Sequence, residues 1–396
     1  MSDDKVVIVS AKRTPIGSFQ GNFESLKATQ LGSRVIEKNI NDISINPKEI
    51  DETIMGCVLP AGLGQAPARQ AAMGAGIPSE SGATTINKMC GSGMKSIMFG
   101  HDSIRAQQNN IVVAGGLENM TNAPYILSKA RKGFRMGHAD VKDHMFLDGL
   151  EDAYDEGRLM GSFAEDCARN YQFTRIQQDE YAIRSLENAL NAQKNSFFEH
   201  EITPVKVKNK NKEEILITED QQPKRSNALK IPKLKPAFLS DGTVTAANSS
   251  SISDGAVALL ISSEKYAQRK NLKIKARIKG YAGHAHDPGW FTTAPIPATN
   301  KLLESLNWSA HEVDLWEVNE AFAPVPLAWA HDLEADKSKL NVNGGAMALG
   351  HPLGATGAKL MTTMLHELER RNGNYALQAI CEGGGTANAT IIKRLS

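Results

Sequence analysis

Cysteine is scarce, with four residues in a chain of 396. Four cannot staple a chain of that length, which excludes a disulfide framework and points to a reducing compartment. Charge of one sign is also missing: 45 Lys and Arg stand against 44 Asp and Glu, a net charge of +1. That balance argues against attraction of the whole chain to nucleic acid or an anionic membrane. No uncharged apolar run approaches the ~20 residues that span a bilayer. The opening Met1-Ser2-Asp3-Asp4-Lys5 lacks the basic segment and apolar stretch of a signal peptide and is too acidic for a transit peptide. The closing Lys393-Arg394-Leu395-Ser396 is not the Ser-Lys-Leu peroxisomal address, so a cytoplasmic protein is expected. No Gly-x-Gly-x-x-Gly fingerprint or phosphate-binding Gly-Lys-Ser/Thr loop stands in place. His284-Ala285-His286 has no zinc-like ligand set around it, and no metal is expected.

What is present is an ordinary globular composition, 41% hydrophobic and 22% charged, long enough for two or three domains. Short β-branched runs alternate with helical patterns at both ends, which predicts α/β layers. Lys5 to Ser10 reads as a buried strand, and Ile111 to Gly115 as another that ends in a Gly115-Gly116 turn. Further strands are expected at Lys273 to Gly280, Val313 to Val318, Leu340 to Val342 and Ala376 to Cys381.

The two ends also match each other. Asp51-Glu52-Thr53-Ile54-Met55-Gly56 and its small-residue helix correspond to Val313-Asp314-Leu315-Trp316-Glu317-Val318 and an Ala-rich continuation. Gly91-Ser92-Gly93-Met94-Lys95 corresponds to Ala355-Thr356-Gly357-Ala358-Lys359, and Gly115-Gly116 to Gly383-Gly384-Gly385. A duplicated α/β unit follows. From about Met120 to Ile252 the texture changes. A helix follows the capping box Thr174-Arg175-Ile176-Gln177, with Ile183, Leu186 and Leu190 on one face. Val205-Lys206-Val207-Lys208 and Ile215-Leu216-Ile217 flank a polar turn and read as a hairpin. This block reads as an insertion into the first unit, which resumes at Ser253. The expected organisation is 1–119 with 253–273 as the first domain, 120–252 as the insertion and 274–396 as the second domain.

Four motifs carry chemistry. Cys90, in Asn87-Lys88-Met89-Cys90-Gly91-Ser92-Gly93, is delivered by a strand into a turn that opens a helix. Amides at a helix N-terminus favour a thiolate, so a lowered thiol pKa is expected there. Cys381 ends a strand before Glu382-Gly383-Gly384-Gly385, whose amides can meet a developing oxyanion. His351 lies among small residues from Asn343 to Ala355, as an imidazole placed beside a ligand to deprotonate a thiol would. Asn319, in Asn319-Glu320-Ala321-Phe322-Ala323, follows a strand at the edge where α/β sheets form their ligand crevice. Each alone also reads as packing or capping.

Together, in this order and spacing, the four blocks resemble the thiolase family, in its acetyl-CoA acetyltransferase-like branch, over essentially the whole chain. The resemblance implies duplicated α/β/α/β/α layers with an inserted loop domain. It implies an acyltransferase that condenses two acetyl-CoA or cleaves short-chain 3-ketoacyl-CoA, with coenzyme A as substrate and product and no other cofactor. Cys90 is then the acylated nucleophile, His351 its base and Cys381 the proton-exchanging partner. One oxyanion hole comes from His351 and a water held by Asn319, the other from the amides of Cys90 and Gly383. The substrate and CoA contacts implied are Leu159, Met160, Arg225, Phe238, Ser250, Phe291, Ala321 and Phe322, with Lys224, Lys230 and Lys235 as further cations for the nucleotide phosphates. Arg135-Met136-Gly137-His138 resembles the loop through which thiolase dimers form tetramers, so a homotetramer is expected.

Three positions depart from the family pattern: Leu159 for the usual histidine, Phe291 for the usual methionine and Glu382 for a usually apolar residue. The first two open a medium- or long-chain 3-ketoacyl-CoA thiolase as an alternative. A β-ketoacyl synthase is disfavoured by the second cysteine, and Ser92-Gly93-Met94-Lys95 lacks the partners of a Ser-x-x-Lys hydrolase. A non-catalytic acyl-CoA-binding protein is disfavoured because both cysteines, the histidine and the asparagine are kept.

Overall fold

The computed structural model describes residues 5–208 and 211–395. Met1 to Asp4, part of the hairpin turn and Ser396 of the closing tetrapeptide lie outside the described residues. The first part of the chain runs β1 (Val6–Arg13), β2 (Gly17–Ser18), α1 (Ala28–Asp42), β3 (Glu52–Gly56), α2 (Pro67–Gly74), β4 (Gly82–Ile86), α3 (Ser92–Arg105) and β5 (Ile111–Asn119). The middle carries β6 (Tyr125–Leu127), β7 (Val141–Asp143), α4 (Met160–Asn170), α5 (Arg175–Lys194), β8 (Val205–Lys208), β9 (Glu214–Ile217) and α6 (Gln222–Arg225). Then follow β10 (Ser253–Ser263), α7 (Glu264–Arg269), β11 (Ala276–Ala285), α8 (Pro295–Leu306), β12 (Leu315–Val318), α9 (Pro324–Asp332), α10 (Ala346–Leu349), α11 (Leu353–Arg371), β13 (Tyr375–Glu382) and β14 (Thr386–Arg394).

The strands order as β12-β13-β14-β11-β1-β10-β5-β3-β4, with β2 against β10. Two like arms meet where β1 pairs with β11, through Val7 with Arg277 and Ile8 with Ala276. Outward from that seam each arm has two antiparallel neighbours and then a parallel one, β3 beside β5 and β12 beside β13. β5 and β10 are buried throughout. That explains their continuous apolar runs, because both sheet faces are covered.

Helices α1 and α2 cover one face of the first arm, where Leu31, Val35 and Ala71 pack with Val113 and Leu260. Helices α8 and α9 cover the second arm, where Leu302 and Trp329 pack with Leu377 and Ala389. Between the arms lie α3 and α11, whose Ile97, Met361 and Leu365 pack against Leu259 on one side and Ile392 on the other. The result is the α/β/α/β/α layering implied by the resemblance. The middle helix α11 is buried from Leu353 to Leu368. It touches α3 closely: a Cβ on Gly357 would lie 2.5 Å from the Met94 amide nitrogen.

Several local readings change. Gly115 and Gly116 are not a turn but the middle of β5, paired with Ala258 and Val257. A Cβ on Gly116 would meet the Gly354 carbonyl oxygen at 1.9 Å, so glycine is needed there for the approach of α11. Leu340 to Val342 is not a strand; Leu340 makes one isolated bridge to Trp316, on the flank of β12 where the other arm carries β4. The capping box of α5 is present, with Thr174 Oγ1 accepting from the Gln177 amide at 3.2 Å. Leu190, expected on its buried face, is 37% exposed. The β8–β9 hairpin forms, with Val205 opposite Ile217. No helix among the described residues is long and apolar enough to cross a membrane.

Candidate active site

Strand β4 ends at Ile86 and α3 begins at Ser92, so five residues make the turn that holds Cys90. Its shape is over-determined. Met89 sits at φ 48, a left-handed conformation that costs a side-chain-bearing residue energy. Asn87 Oδ1 accepts from the Met89 amide at 2.9 Å, and Ser92 Oγ accepts from the Lys88 amide at 2.8 Å while donating to the Met89 carbonyl at 2.6 Å. The expectation of a lowered Cys90 pKa is overturned. Burial first and the Glu382 carboxylate second push this thiol up to about 12, although the amides of Cys90 itself and Gly383 favour the thiolate. A helix terminus does not outweigh the loss of water here. The resting sulfur is a protonated thiol, so a base must take its proton.

An imidazole stands on the other arm. His351 lies between α10 and α11, 4% exposed. Thr356 Oγ1 donates its only proton to the Pro352 carbonyl at 2.9 Å, so toward His351 Nδ1, 2.7 Å away, it can only accept. With that hydroxyl proton assigned to the Pro352 carbonyl, the matching neutral tautomer carries its proton on Nδ1 and its lone pair on Nε2. Burial lowers the His351 pKa to about 4 and keeps the imidazole neutral, ready to accept a proton.

His351 Nε2 faces Asn319 Nδ2 at 3.5 Å. Asn319 follows β12, held by its amide to the Ala379 carbonyl at 3.0 Å, and its Oδ1 is buried with no protein partner among the described residues. Its side chain also favours the Cys381 thiolate, opposing the burial that raises this thiol well above its ordinary value, with Cys90 and Glu382 adding to the rise. Cys381, near the end of β13, is 1% exposed. Gly383, two residues on, faces Met89 and Met160. The structure thus brings Cys90, Asn319, His351, Cys381 and Gly383 to one place, from turns at the ends of β4, β12 and β13 and the start of α11.

A cleft of about 660 Å³ opens beside them, lined by Leu159, Met160, Arg225, Phe238, Ser250 and Phe322. Its Phe146, Leu150 and Ile252 pack against the same apolar cluster as Cys90, and its Met160 lies against Gly383. Phe238 meets Phe322 edge-on, with centroids 5.8 Å apart. Two expected contacts do not line it. Phe291 and Ala321 are buried behind the wall, clustered with Cys381, and Phe291 packs edge-on against Phe163. Ala321 acts through its carbonyl, which accepts from the Ser250 amide at 2.8 Å and fixes that serine at the cleft. Of the expected cations Arg225 lines the cleft, whereas Lys224 pairs with Glu219.

Sequence reasoning missed Thr356 and Glu118. A hydroxyl in the first turn of a helix that follows a histidine was the available signal for Thr356. Glu118, fully buried, accepts from the amides of Val58, Leu59 and Gly354 at 2.9, 3.0 and 2.8 Å. It ties the first arm to the loop after His351, with its pKa raised to about 7 chiefly by burial.

Known proteins resemble this chain over nearly its whole length. Residues 6–265 match the model of the thiolase N-terminal domain, and residues 272–394 match the thiolase C-terminal domain. A probable acetyl-CoA acetyltransferase of Dictyostelium discoideum is 46% identical over 99% of this chain and 94% of its own length. The crystal structure of an acetyl-CoA acetyltransferase from Bacillus anthracis superposes with a TM-score of 0.96 at 38% identity, covering 99% of both chains. A thiolase from Ascaris suum, crystallised with coenzyme A, superposes at 0.94 with 42% identity, covering 99% of this chain and 100% of that one.

Proposed function

The chain belongs to the thiolase family, and from there we propose that it interconverts acetoacetyl-CoA plus CoA and two acetyl-CoA through an acyl group carried on Cys90. In cleavage, His351 Nε2 takes the Cys90 proton and the sulfur attacks the 3-carbonyl carbon. The bond between C2 and C3 breaks, its electron pair leaves as the enolate of acetyl-CoA, and Cys381 protonates that carbon. Free CoA then gives its thiol proton to Cys381 and attacks the acyl thioester, releasing the second acetyl-CoA, while His351 returns its proton to Cys90. Thioester exchange between thiols suits a cysteine nucleophile. The amides of Cys90 and Gly383 hold the tetrahedral oxyanion, and His351 with a water on Asn319 holds the enolate oxygen; each such donor contributes roughly 100- to 1000-fold.

One observation carries this reading: a buried histidine held neutral, its Nε2 facing Asn319, gathered with two cysteines whose thiols are held up, beside an apolar cleft. Coenzyme A in the Ascaris relative supports placing the pantetheine arm in that cleft, between Phe238 and Ser250. Phe291 and Phe163, packed behind Cys381, support a short acyl chain. We read 120–252 as the CoA-binding insertion. Its β6–β7 arm exposes Tyr125, Leu127, Phe134, Met136 and Val141, which supports assembly into a homotetramer. Four unpaired cysteines, two of which must stay thiols to react, support a reducing compartment such as the cytoplasm.

The test is loss of acetoacetyl-CoA absorbance on adding CoA. Rapid loss with the wild type and none with Cys90→Ala is expected. Cys381→Ala should still acylate Cys90, seen as a 42-mass-unit adduct by intact mass (about one acetyl group), but fail to exchange the α-proton. Inertness toward acetoacetyl-CoA with turnover of longer 3-ketoacyl chains would overturn the substrate.

A further inference from the structure

Lys88 and Glu382 have no part in the reaction just described, yet they flank its cysteines. Lys88 precedes Cys90 by two residues, and Glu382 stands between Cys381 and Gly383. Glu382 is fully buried, a costly place for a carboxylate unless it is paired. Lys88 Nζ donates to Glu382 Oε2, Thr386 Oγ1 donates to the same oxygen at 2.5 Å, and Lys88 Nζ donates again to Asn388 Oδ1 at 3.0 Å. The lysine leaves the β4–α3 turn of the first arm and ends in the β13–β14 hairpin of the second. The other carboxylate oxygen, Oε1, is buried with no partner among the described residues. It lies against Gly91, where a Cβ would sit 1.7 Å from it. The carboxylate thus abuts the backbone immediately after Cys90.

We propose that the Lys88–Glu382 pair is a clamp that fixes the Cys90 turn against the Cys381–Gly383 turn, and that both are positioning residues for acyl transfer. The proposal rests on the reading of Cys90 as the acylated nucleophile. The physical need is plain. The two amides that would hold the acyl oxyanion belong to Cys90 and Gly383, in different arms, and β1 and β11 join those arms through two residue pairs. A misplacement of about 1 Å between reacting groups costs on the order of 100-fold in rate. The clamp spans that gap within two residues of the sulfur on one side and one residue of the amide on the other. It also balances charge. Glu382 opposes the thiolates of Cys90 and Cys381, Lys88 and Lys95 are the cations facing it, and Glu118 is the other acid acting on Cys90.

Two readouts test this: the rate of Cys90 acylation by acetyl-CoA, followed by intact mass, and the rate of Cys90 alkylation by iodoacetamide at about pH 8. Lys88→Met and Glu382→Ile should each slow acylation about 10- to 100-fold with little change in KM. The double variant should be no slower than either single, because the two residues act as one unit. Glu382→Gln keeps an acceptor for Lys88 and Thr386, so it should recover most of the rate lost in Glu382→Ile, and it should alkylate faster than wild type because the opposing charge is gone. Wild-type acylation in both single variants overturns the clamp, as do losses that multiply in the double variant. If one single variant loses its cooperative melt, the acylation rate of the other decides: a loss of about 10- to 100-fold supports the clamp and a wild-type rate overturns it. If wild type is never acylated, the functional reading fails, and the alkylation rates still judge the clamp.

Discussion

Helices α3 and α11 occupy equivalent places in the two arms, side by side in the middle layer, each preceded by a small-residue turn. They hand over opposite chemistry. The turn before α3 presents a sulfur that two backbone amides favour as an anion, and the turn before α11 presents an imidazole whose ring contacts are both neutral, the Thr356 hydroxyl and the Asn319 amide. Burial acts on both, and it acts in the same functional direction: it holds a proton on Cys90 and off His351. The difference between two similar turns is thus a difference in which side chain stands at the opening and what its first hydrogen bond is. A half-buried sulfur that keeps its proton thus stands opposite a buried imidazole that lacks one.

The comparison can be broken most severely by removing the acceptor. His351→Ala should lower the acylation rate by about 10²- to 10⁴-fold, the range for loss of a general base, in a single-turnover assay. An ordinary acylation rate in that variant would show that the α11 turn supplies no base. A smaller effect is expected from Thr356→Val, which removes the acceptor that fixes Nδ1–H; kcat should fall by about 10- to 100-fold with KM little changed. The pH profile sharpens this prediction. With its pKa lowered from 6.5 to about 4, His351 stays neutral through mildly acidic solution and becomes protonated only as pH falls through that value. The acid limb that histidine imposes on kcat/KM should therefore lie near 4 rather than 6.5. The mildest change tests the contact between the helices themselves. A methyl group at Gly357 would collide with the Met94 backbone, so Gly357→Ala should cost about 1–3 kcal/mol of stability, read as a lower melting temperature.

The residues gathered at the site were legible because each stands at the end of a strand or the opening of a helix, among small residues that a short window contains. What was illegible depends on distant chain. Gly115-Gly116 reads as a turn in any window, and only the arrival of Gly354 in space explains glycine inside a strand. The raised thiol of Cys90 likewise follows from burial by other segments and from a carboxylate 292 positions later (382 minus 90). Glu382 had no local rationale, since its partner Lys88 is 294 residues away. Leu340 to Val342 failed for the converse reason: its apolar run is real, but only one bridge to Trp316 receives it.

The seam between the arms has a further consequence, for the order in which the molecule can be made. Strand β1 is synthesised well before its neighbours β10 and β11, which begin at Ser253 and Ala276. At 5–20 residues per second a ribosome needs roughly 10 to 50 seconds to bring β10 out after β1. For that time a strand of Val6-Val7-Ile8-Val9, buried in the finished protein, has no edge to join. The nascent chain must carry this apolar edge unpaired until the centre of the sheet can close around it, which exposes the strand to aggregation during synthesis.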